Sequence, residues 1–238
     1  MFSFLAKKSL TKVDIHSHLL PEIDDGSKSM ESSIKLIQKL QSLGYKKLII
    51  TPHSSDMFPN STKILQQGYQ QLQEQLEKNE IDIKIELACE YYADERFEEL
   101  LLKQDLLTFG SEKYLLFELS YFTQPQNIEE LIYEIKLNGY KPVLAHPERY
   151  LYWHDEFDCY QQLKKEGVYF QLNINSLSGY YNKGVQQIAE RLVKKGMVDF
   201  MGSDTHHMTH LKSLQKSFGL STYKKAFKNN TILNDTLL

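Results

Sequence analysis

A chain of 238 residues, 41% hydrophobic, is long enough to bury one large core, the size of a single α/β barrel domain. Lys plus Arg total 28 against 31 for Asp plus Glu, a formal net charge of -3 with no basic stripe, which excludes nucleic acid as the default partner. Cys89 and Cys159 are too few for a disulfide framework, and the apolar start Met1–Ala6 meets Lys7 and Lys8 too soon for a secretory segment or membrane span, so a cytosolic protein is expected.

In chain order, the first informative stretch is Asp14-Ile15-His16-Ser17-His18. A short strand from Val13 to His16 puts His16 and His18 two apart, so both imidazoles point to one side where the strand runs out. Asp14, Asp24 and Asp25 lie close enough in sequence to offset cationic charge there. After the turn-rich Pro21–Gly26, Ser29 offers an N-cap to a helix with Ile34, Ile37, Leu40 and Leu43 on one face, stopped by Gly44. Lys47 to Thr51 reads as a strand running into Pro52-His53. A Gln-rich helix from Leu65 to Leu76 follows, and Ile81 to Leu87 alternates with period two and delivers Glu90.

A helical segment with Phe97, Leu100 and Leu101 leads to the continuous apolar run Tyr114–Phe117, expected of a strand buried on both faces, and Glu118 closes it. Asn127 is placed to cap a helix from Ile128 to Leu137, and Pro142–Ala145 runs into His146-Pro147-Glu148-Arg149. A helix from Cys159 to Lys165 precedes the strand Val168–Leu172, which ends in Asn173 and Asn175. A helix from Val185 to Lys195 precedes the strand Met197–Met201, which gives way to Gly202-Ser203-Asp204-Thr205-His206. Leu211, Leu214, Phe218, Tyr223 and Phe227 mark terminal helices packed on the body.

Seven strands alternating with helices predict right-handed crossovers and a parallel sheet, best closed as a barrel; an open doubly wound sheet is the runner-up. In a barrel the C-terminal strand ends collect the active site, and here they carry His16, His18, His53, Glu90, Glu118, His146, Asp204 and His206. Each has an ordinary alternative. Glu90 reads as a solvated loop carboxylate, His53 as a capping group, Glu118 as a buried ion-pair partner and His146 as a turn residue. Their joint position, chelating groups at six of seven strand ends with apolar residues inside the strands, favours a polynuclear metal site. Mixed carboxylates and imidazoles suit manganese, iron or zinc and argue against a thiolate structural site. Neighbouring cations there would lower the pKa of a shared water and hold a phosphomonoester. Arg149, three residues after His146, would add a planar two-pronged phosphate contact, its alternative being a surface salt bridge with Glu148. Tyr121, Phe122, Tyr150, Tyr152 and Trp153 are candidates to hold a phenyl ring, or else loop anchors.

Asp-Ile-His-Ser-His, Asp25-Gly26, Thr51-Pro52-His53, Glu90-Tyr91-Tyr92, Phe117-Glu118, Ala145-His146-Pro147-Glu148-Arg149-Tyr150 and Ser203-Asp204-Thr205-His206 resemble the polymerase-and-histidinol-phosphatase (PHP) superfamily. Within it, the chain is most similar to the bacterial manganese-dependent tyrosine-protein phosphatases encoded with capsule and exopolysaccharide genes. The similarity runs from about Asp14 to the C-terminus. It implies a distorted (β/α)7 barrel as a single domain over 1–238. It also implies three divalent metal ions, manganese first with iron or zinc as alternatives, held by residues matching His16, His18, Asp25, His53, Glu90, Glu118, His146, Asp204 and His206. The implied substrate is phosphotyrosine in proteins, with a bacterial tyrosine kinase as partner.

The loop after Asp204-Thr205-His206 departs from that pattern. Some members carry a phosphate-binding arginine where this chain reads His207-Met208-Thr209-His210-Leu211-Lys212, leaving His207, His210 or Lys212 as substitutes or ordinary polar residues. The competing functions are a PHP phosphatase for a small metabolite such as histidinol phosphate, and a catalytically silent metal-binding or kinase-docking module. A cysteine phosphatase is disfavoured because that mechanism needs Cys-x5-Arg, and Arg96 lies seven residues after Cys89.

Overall fold

The strands carry the fold, and all of them pair in parallel. In the computed structural model, which describes residues 7–238, they are β1 (Val13–Asp14), β2 (Lys47–Ile50), β3 (His53–Ser54), β4 (Lys84–Leu87), β5 (Glu90–Tyr92), β6 (Tyr114–Glu118), β7 (Lys141–Ala145), β8 (Tyr169–Asn173) and β9 (Phe200–Gly202). They form two sheets, ordered β1-β2-β4 and β3-β5-β6-β7-β8-β9. The N-terminal run Met1–Ala6 lies outside the described residues.

Two of the seven expected strands are each interrupted once, which makes nine segments. Pro52, which has no N–H to give a ladder, separates β2 from β3, and Ala88-Cys89 separates β4 from β5. Backbone bonds continue across both gaps, from Ala88 N to Ile50 O (2.9 Å) and from Glu90 N to Pro52 O (3.0 Å). The ends of the first and last strands also meet: Ser17 and Thr205 form a parallel bridge, His18 N donates to Thr205 O (2.9 Å) and Asp204 N donates to His16 O (2.9 Å).

Eight helices connect or follow the strands: α1 (Met30–Ser42), α2 (Thr62–Lys78), α3 (Glu95–Lys103), α4 (Ile128–Leu137), α5 (Asp158–Lys165), α6 (Lys183–Lys194), α7 (Met208–Ser217) and α8 (Ser221–Asn229). Ser29 caps α1 as its sequence predicts, accepting from Ser32 N, and the buried face carries Leu36, Ile37 and Leu40. Asn127 flanks α4 but makes no side-chain cap bond; Glu129 and Glu130 in the first turn supply the negative charge that this helix end favours. The last strand is shorter than its apolar run suggests, beginning at Phe200 rather than Met197. Just before it, Asp199 N donates to Phe170 O (3.0 Å) while the Asp199 carboxylate accepts from Phe170 N (2.7 Å) and pairs with Lys164 (2.5 Å), so a side chain takes the acceptor's place in the ladder.

Because side chains alternate along a strand, the strands present two faces, and most of them pack on both. Leu48, Ile50, Leu115, Phe117, Leu144 and Phe170 join the large cluster that includes the helices. The opposite face gathers Val13, Ile49, Ala88, Leu116, Val143 and Phe200 into a second, smaller cluster. Continuing that second face in steps of two leads from Ile49 to His53, from Ala88 to Glu90, from Leu116 to Glu118 and from Phe200 to Asp204. The period that packs the core thus delivers His53, Glu90, Glu118 and Asp204 together.

Candidate metal centre

Glu90 sits at the middle of these groups, fully buried at the start of β5. Its Oε2 lies 3.0 Å from His16 Nε2, 3.3 Å from His18 Nε2 and 3.2 Å from His53 Nδ1, while Oε1 lies 3.0 Å from His146 Nε2. Glu118 Oε1 is 3.2 Å from His53 Nδ1. Asp204 Oδ1 is 3.6 Å from His16, 3.5 Å from His18 and 3.3 Å from His206, and Asp25 Oδ1 is 3.3 Å from His206 Nε2. All nine residues anticipated as ligands therefore meet in one place.

Their donor atoms form four groups of three or four, each within 4.8 Å: His18, Asp25, His53 and His206; His16, His18 and Asp204; His16, Glu90 and His146; His53, Glu90 and Glu118. Glu90, His16, His18 and His53 each belong to two groups, as bridging or neighbouring ligands of adjacent ions would. Oxygen and imidazole nitrogen donors in one buried cluster fit divalent manganese, iron or zinc.

Two ligands depend on unusual backbone. His146 (φ 34°) and Asp204 (φ 49°) adopt left-handed conformations uncommon for non-glycine residues; Asp204 keeps the alternation that runs from Phe200, whereas His146 breaks that of β7. The turn at His146 re-aims the imidazole toward Glu90, against the outward direction that position would have in a continued β7. Gly202 is required by proximity: a Cβ there would stand 2.5 Å from Gln171 Nε2 and 2.8 Å from His16 Cβ.

A second layer holds the imidazoles. Gln171 Oε1 accepts from His16 Nδ1 (2.7 Å) and Asp24 Oδ2 accepts from His18 Nδ1 (2.9 Å), so both rings present Nε2 to the centre. Asp24 Oδ2 also accepts from His53 N (3.0 Å), tying the first histidine loop to β3. Asp204 divides its oxygens: Oδ1 faces the histidines, and Oδ2 accepts from Asn173 Nδ2 (2.6 Å), Tyr181 O–H (3.2 Å) and Arg149 Nη1 (3.2 Å). Sequence reasoning treated Asp24 only as background charge and missed Gln171 and Tyr181. Gln171 was within reach of it, as a polar residue two positions before Asn173 on an apolar strand. Tyr181 lies in a loop with no periodic signal.

The cluster attracts positive charge. Burial opposes protonation of His16, yet the Glu90 and Asp204 carboxylates raise it to about 9. For His18 the same penalty is overcome by Asp24, which holds its pKa well above the ordinary value. Burial likewise opposes the charges of Glu90 and Asp204, but the surrounding imidazoles, His16 foremost, hold both carboxyls well below the usual range. His146 goes the other way, lowered by burial and by Arg149. A donor set of four carboxylates and five imidazoles that recruits protons so strongly has the electrostatics of a multivalent cation site.

Arg149 lies over the rings of Tyr121 and Tyr181, at 4.6 and 4.4 Å from their centroids, and pairs with Asp204. The salt bridge with Glu148 weighed from sequence does not form: Glu148 is buried and accepts from Asn173 N (3.0 Å) and Ser176 Oγ (2.6 Å). A cavity of about 340 Å³ opens over the centre, lined by Arg149, Tyr121, Tyr181, His207 and His210 with seven of the nine anticipated ligands, His16 and His18 lying behind them. Lys212 is exposed and does not line it. Burial lowers the pKa of His210 to about 4 and pushes His207 down, so neither is a cationic equivalent of an arginine. Of the rim aromatics, Tyr150 and Trp153 are core: Tyr150 O–H donates to Ala145 O (3.1 Å) and accepts from Leu119 N (2.9 Å). Tyr152 O–H donates to Ser120 O (2.9 Å), an anchor, whereas Tyr121 faces the centre and Phe122 is 95% exposed.

Neither cysteine competes. Cys89 is buried and burial pushes its thiol well above the usual range; burial raises Cys159 too. Among the described residues, no helix is long and apolar enough to cross a membrane.

Known proteins share this chain's sequence and architecture. It is 30% identical over 216 residues to the tyrosine-protein phosphatase YwqE of Bacillus subtilis, an alignment covering 87% of this chain and 85% of the relative. It is 26% identical over 242 residues to the tyrosine-protein phosphatase CpsB of Streptococcus pneumoniae, covering 95% and 100%. A solved structure from work on YwqE and CpsB, described there as metal-dependent tyrosine phosphatases, superimposes with a TM-score of 0.79 at 28% identity, covering 92% of this chain and 96% of that one. With the family model for capsular polysaccharide synthesis proteins CpsB/CapC matching residues 12–231, the chain belongs to that family.

Proposed function

We propose that this protein is a metal-dependent phosphomonoesterase that hydrolyses phosphotyrosine in proteins, with a bacterial tyrosine kinase of capsular or exopolysaccharide synthesis as its substrate. The observation that carries the reading is the single cluster of His16, His18, Asp25, His53, Glu90, Glu118, His146, Asp204 and His206 beneath a cavity lined by one partly buried arginine, Arg149. The names of the similar proteins support the same activity. Those nine residues would hold three divalent cations, manganese first and iron or zinc as alternatives. Bound there, the cations would lower the pKa of a water and offset the charge of the phosphoryl group.

The remaining work belongs to the protein. Arg149 offers a planar guanidinium to two phosphate oxygens, and its stacking on Tyr121 and Tyr181 sets its direction beforehand. Gln171 and Asp24 keep the His16 and His18 rings turned inward, so the nucleophile and the phosphorus can be aligned without reorganisation. Phenolate, with a conjugate acid near roughly 10, leaves with little protonic help, which suits a site without a dedicated acid among its cavity residues.

The strands are read as a distorted (β/α)7 barrel in a single domain over 1–238. The bridge between Ser17 and Thr205 supports closure, as does the apolar cluster on the inner face of the strands. A cytoplasmic location agrees with a kinase substrate and with two unpaired cysteines. The decisive experiment is phosphotyrosine-peptide hydrolysis by metal-stripped protein with manganese, zinc or iron restored in turn. Activity should vanish on stripping and in His53→Ala, and survive in Cys89→Ala and Cys159→Ala. Full turnover by the stripped protein would overturn the mechanism.

A further inference from the structure

A second cavity of about 460 Å³ adjoins the metal centre and differs from it in character. The two share His53, Glu118 and Tyr121, so they meet where a bound phosphate would end. The first is walled by charged and imidazole groups. The second is walled largely by Met57, Phe58, Tyr92, Tyr121 and Phe122.

Met57 and Phe122 are 80% and 95% exposed, an arrangement that water disfavours. Both sit on loops that hydrogen bonds hold in place. Phe58 N donates to Ser55 Oγ and Ser55 N to Phe58 O, both at 3.1 Å, while Asp56 N donates to Asp94 Oδ2 (3.1 Å). Ser120 Oγ accepts from Phe122 N and Thr123 N, each at 3.2 Å. Phe58 also stacks on the His53 ligand, with ring centroids 5.7 Å apart and planes 13° apart. The apolar wall therefore reaches the metal centre at the His53 ring.

An aryl phosphomonoester is charged at the phosphate and apolar at the ring, so its two ends call for surfaces of different character. We propose that this second cavity is the leaving-group subsite and takes the aryl ring of the substrate, so that Met57 and Phe122 select a phenolic ester over an alkyl or ammonium-bearing one. The inference rests on the phosphatase reading above. An apolar ring gains by leaving water between these side chains, whereas an alkyl ester has no ring to place there; of the cavity's carboxylates, Asp94 is engaged by Asp56 N and Phe97 N and Glu118 by His53, which leaves Asp56 to meet an ammonium group.

The test uses the full chain with manganese restored, as wild type and as the Met57→Ala/Phe122→Ala double variant. Both side chains are exposed, so the variant keeps its core. Hydrolysis of phosphotyrosine and phosphoserine peptides of one flanking sequence is compared, alongside inhibition by phenylphosphonate and methylphosphonate. The double variant should raise KM for the phosphotyrosine peptide about tenfold with kcat little changed, and weaken phenylphosphonate by a similar factor while leaving methylphosphonate alone. An unchanged KM and an unchanged ratio of the two inhibitors would overturn the subsite while the phosphatase reading stands. Wild-type protein that hydrolyses neither peptide would overturn that reading, and the subsite with it.

Discussion

Arg149 and Asp24 show how much of this site lies one layer behind the metal donors. Arg149 owes its direction to two aromatic rings and the outer oxygen of Asp204, so its shape matters as well as its charge. Arg149→Lys keeps the charge but loses the fork and the stacking; steady-state kinetics should show roughly a tenfold or greater fall in kcat/KM, and Arg149→Ala a larger one. Asp24 contacts no cavity, yet it fixes the tautomer of His18 and anchors His53 through its backbone. Asp24→Asn should weaken metal affinity by about 10- to 100-fold, measured by competition with a chromophoric chelator, with little change in the unfolding midpoint of the stripped protein.

At the scale of single elements, strand alternation links packing to chemistry. Leu116 belongs to the smaller apolar cluster and stands two residues before Glu118 on the same face of β6. Leu116→Ala should cost about 2–5 kcal/mol in urea unfolding, because the rigid neighbours cannot close the space. Gly202 is a narrower constraint, since any side chain there meets Gln171 and His16. Gly202→Ala should disturb His16 directly, and titration should find weaker metal binding at a smaller stability cost than Leu116→Ala. The candidate chelating motifs other than Asp25-Gly26 were legible because each follows a stretch read as a strand. The boundaries were less so: Pro52 splits one strand, Asp199 shortens another, and Asn127 leaves α4 uncapped by its side chain, because these outcomes depend on partners distant in sequence.

Over the whole molecule, the densest concentration of charge is where separate strand ends converge. Carboxylates and imidazoles crowded within 4.8 Å groups are held together by mutual neutralisation, and a cation that binds only the folded chain adds its binding free energy to stability. Chelation should therefore lower Tm by several degrees in calorimetry, and manganese should restore it in a concentration-dependent way. His53→Ala should abolish much of that manganese-dependent shift.

The amino-acid order by itself determined the alternation of strands and helices, the apolar faces that pack them, and which eight side chains follow the strand ends, because short-range periodicity and residue type encode all three; Asp25, in a loop, was marked as a ligand only by the family resemblance. Tertiary structure alone decided that Gln171, Asp24 and Tyr181 orient the ligands, that Arg149 turns to Asp204 instead of Glu148, and that Tyr150 is core while Phe122 stands at the rim. Those outcomes follow from contacts between segments far apart in sequence, and from left-handed turns at His146 and Asp204 that hydrophobic periodicity does not encode.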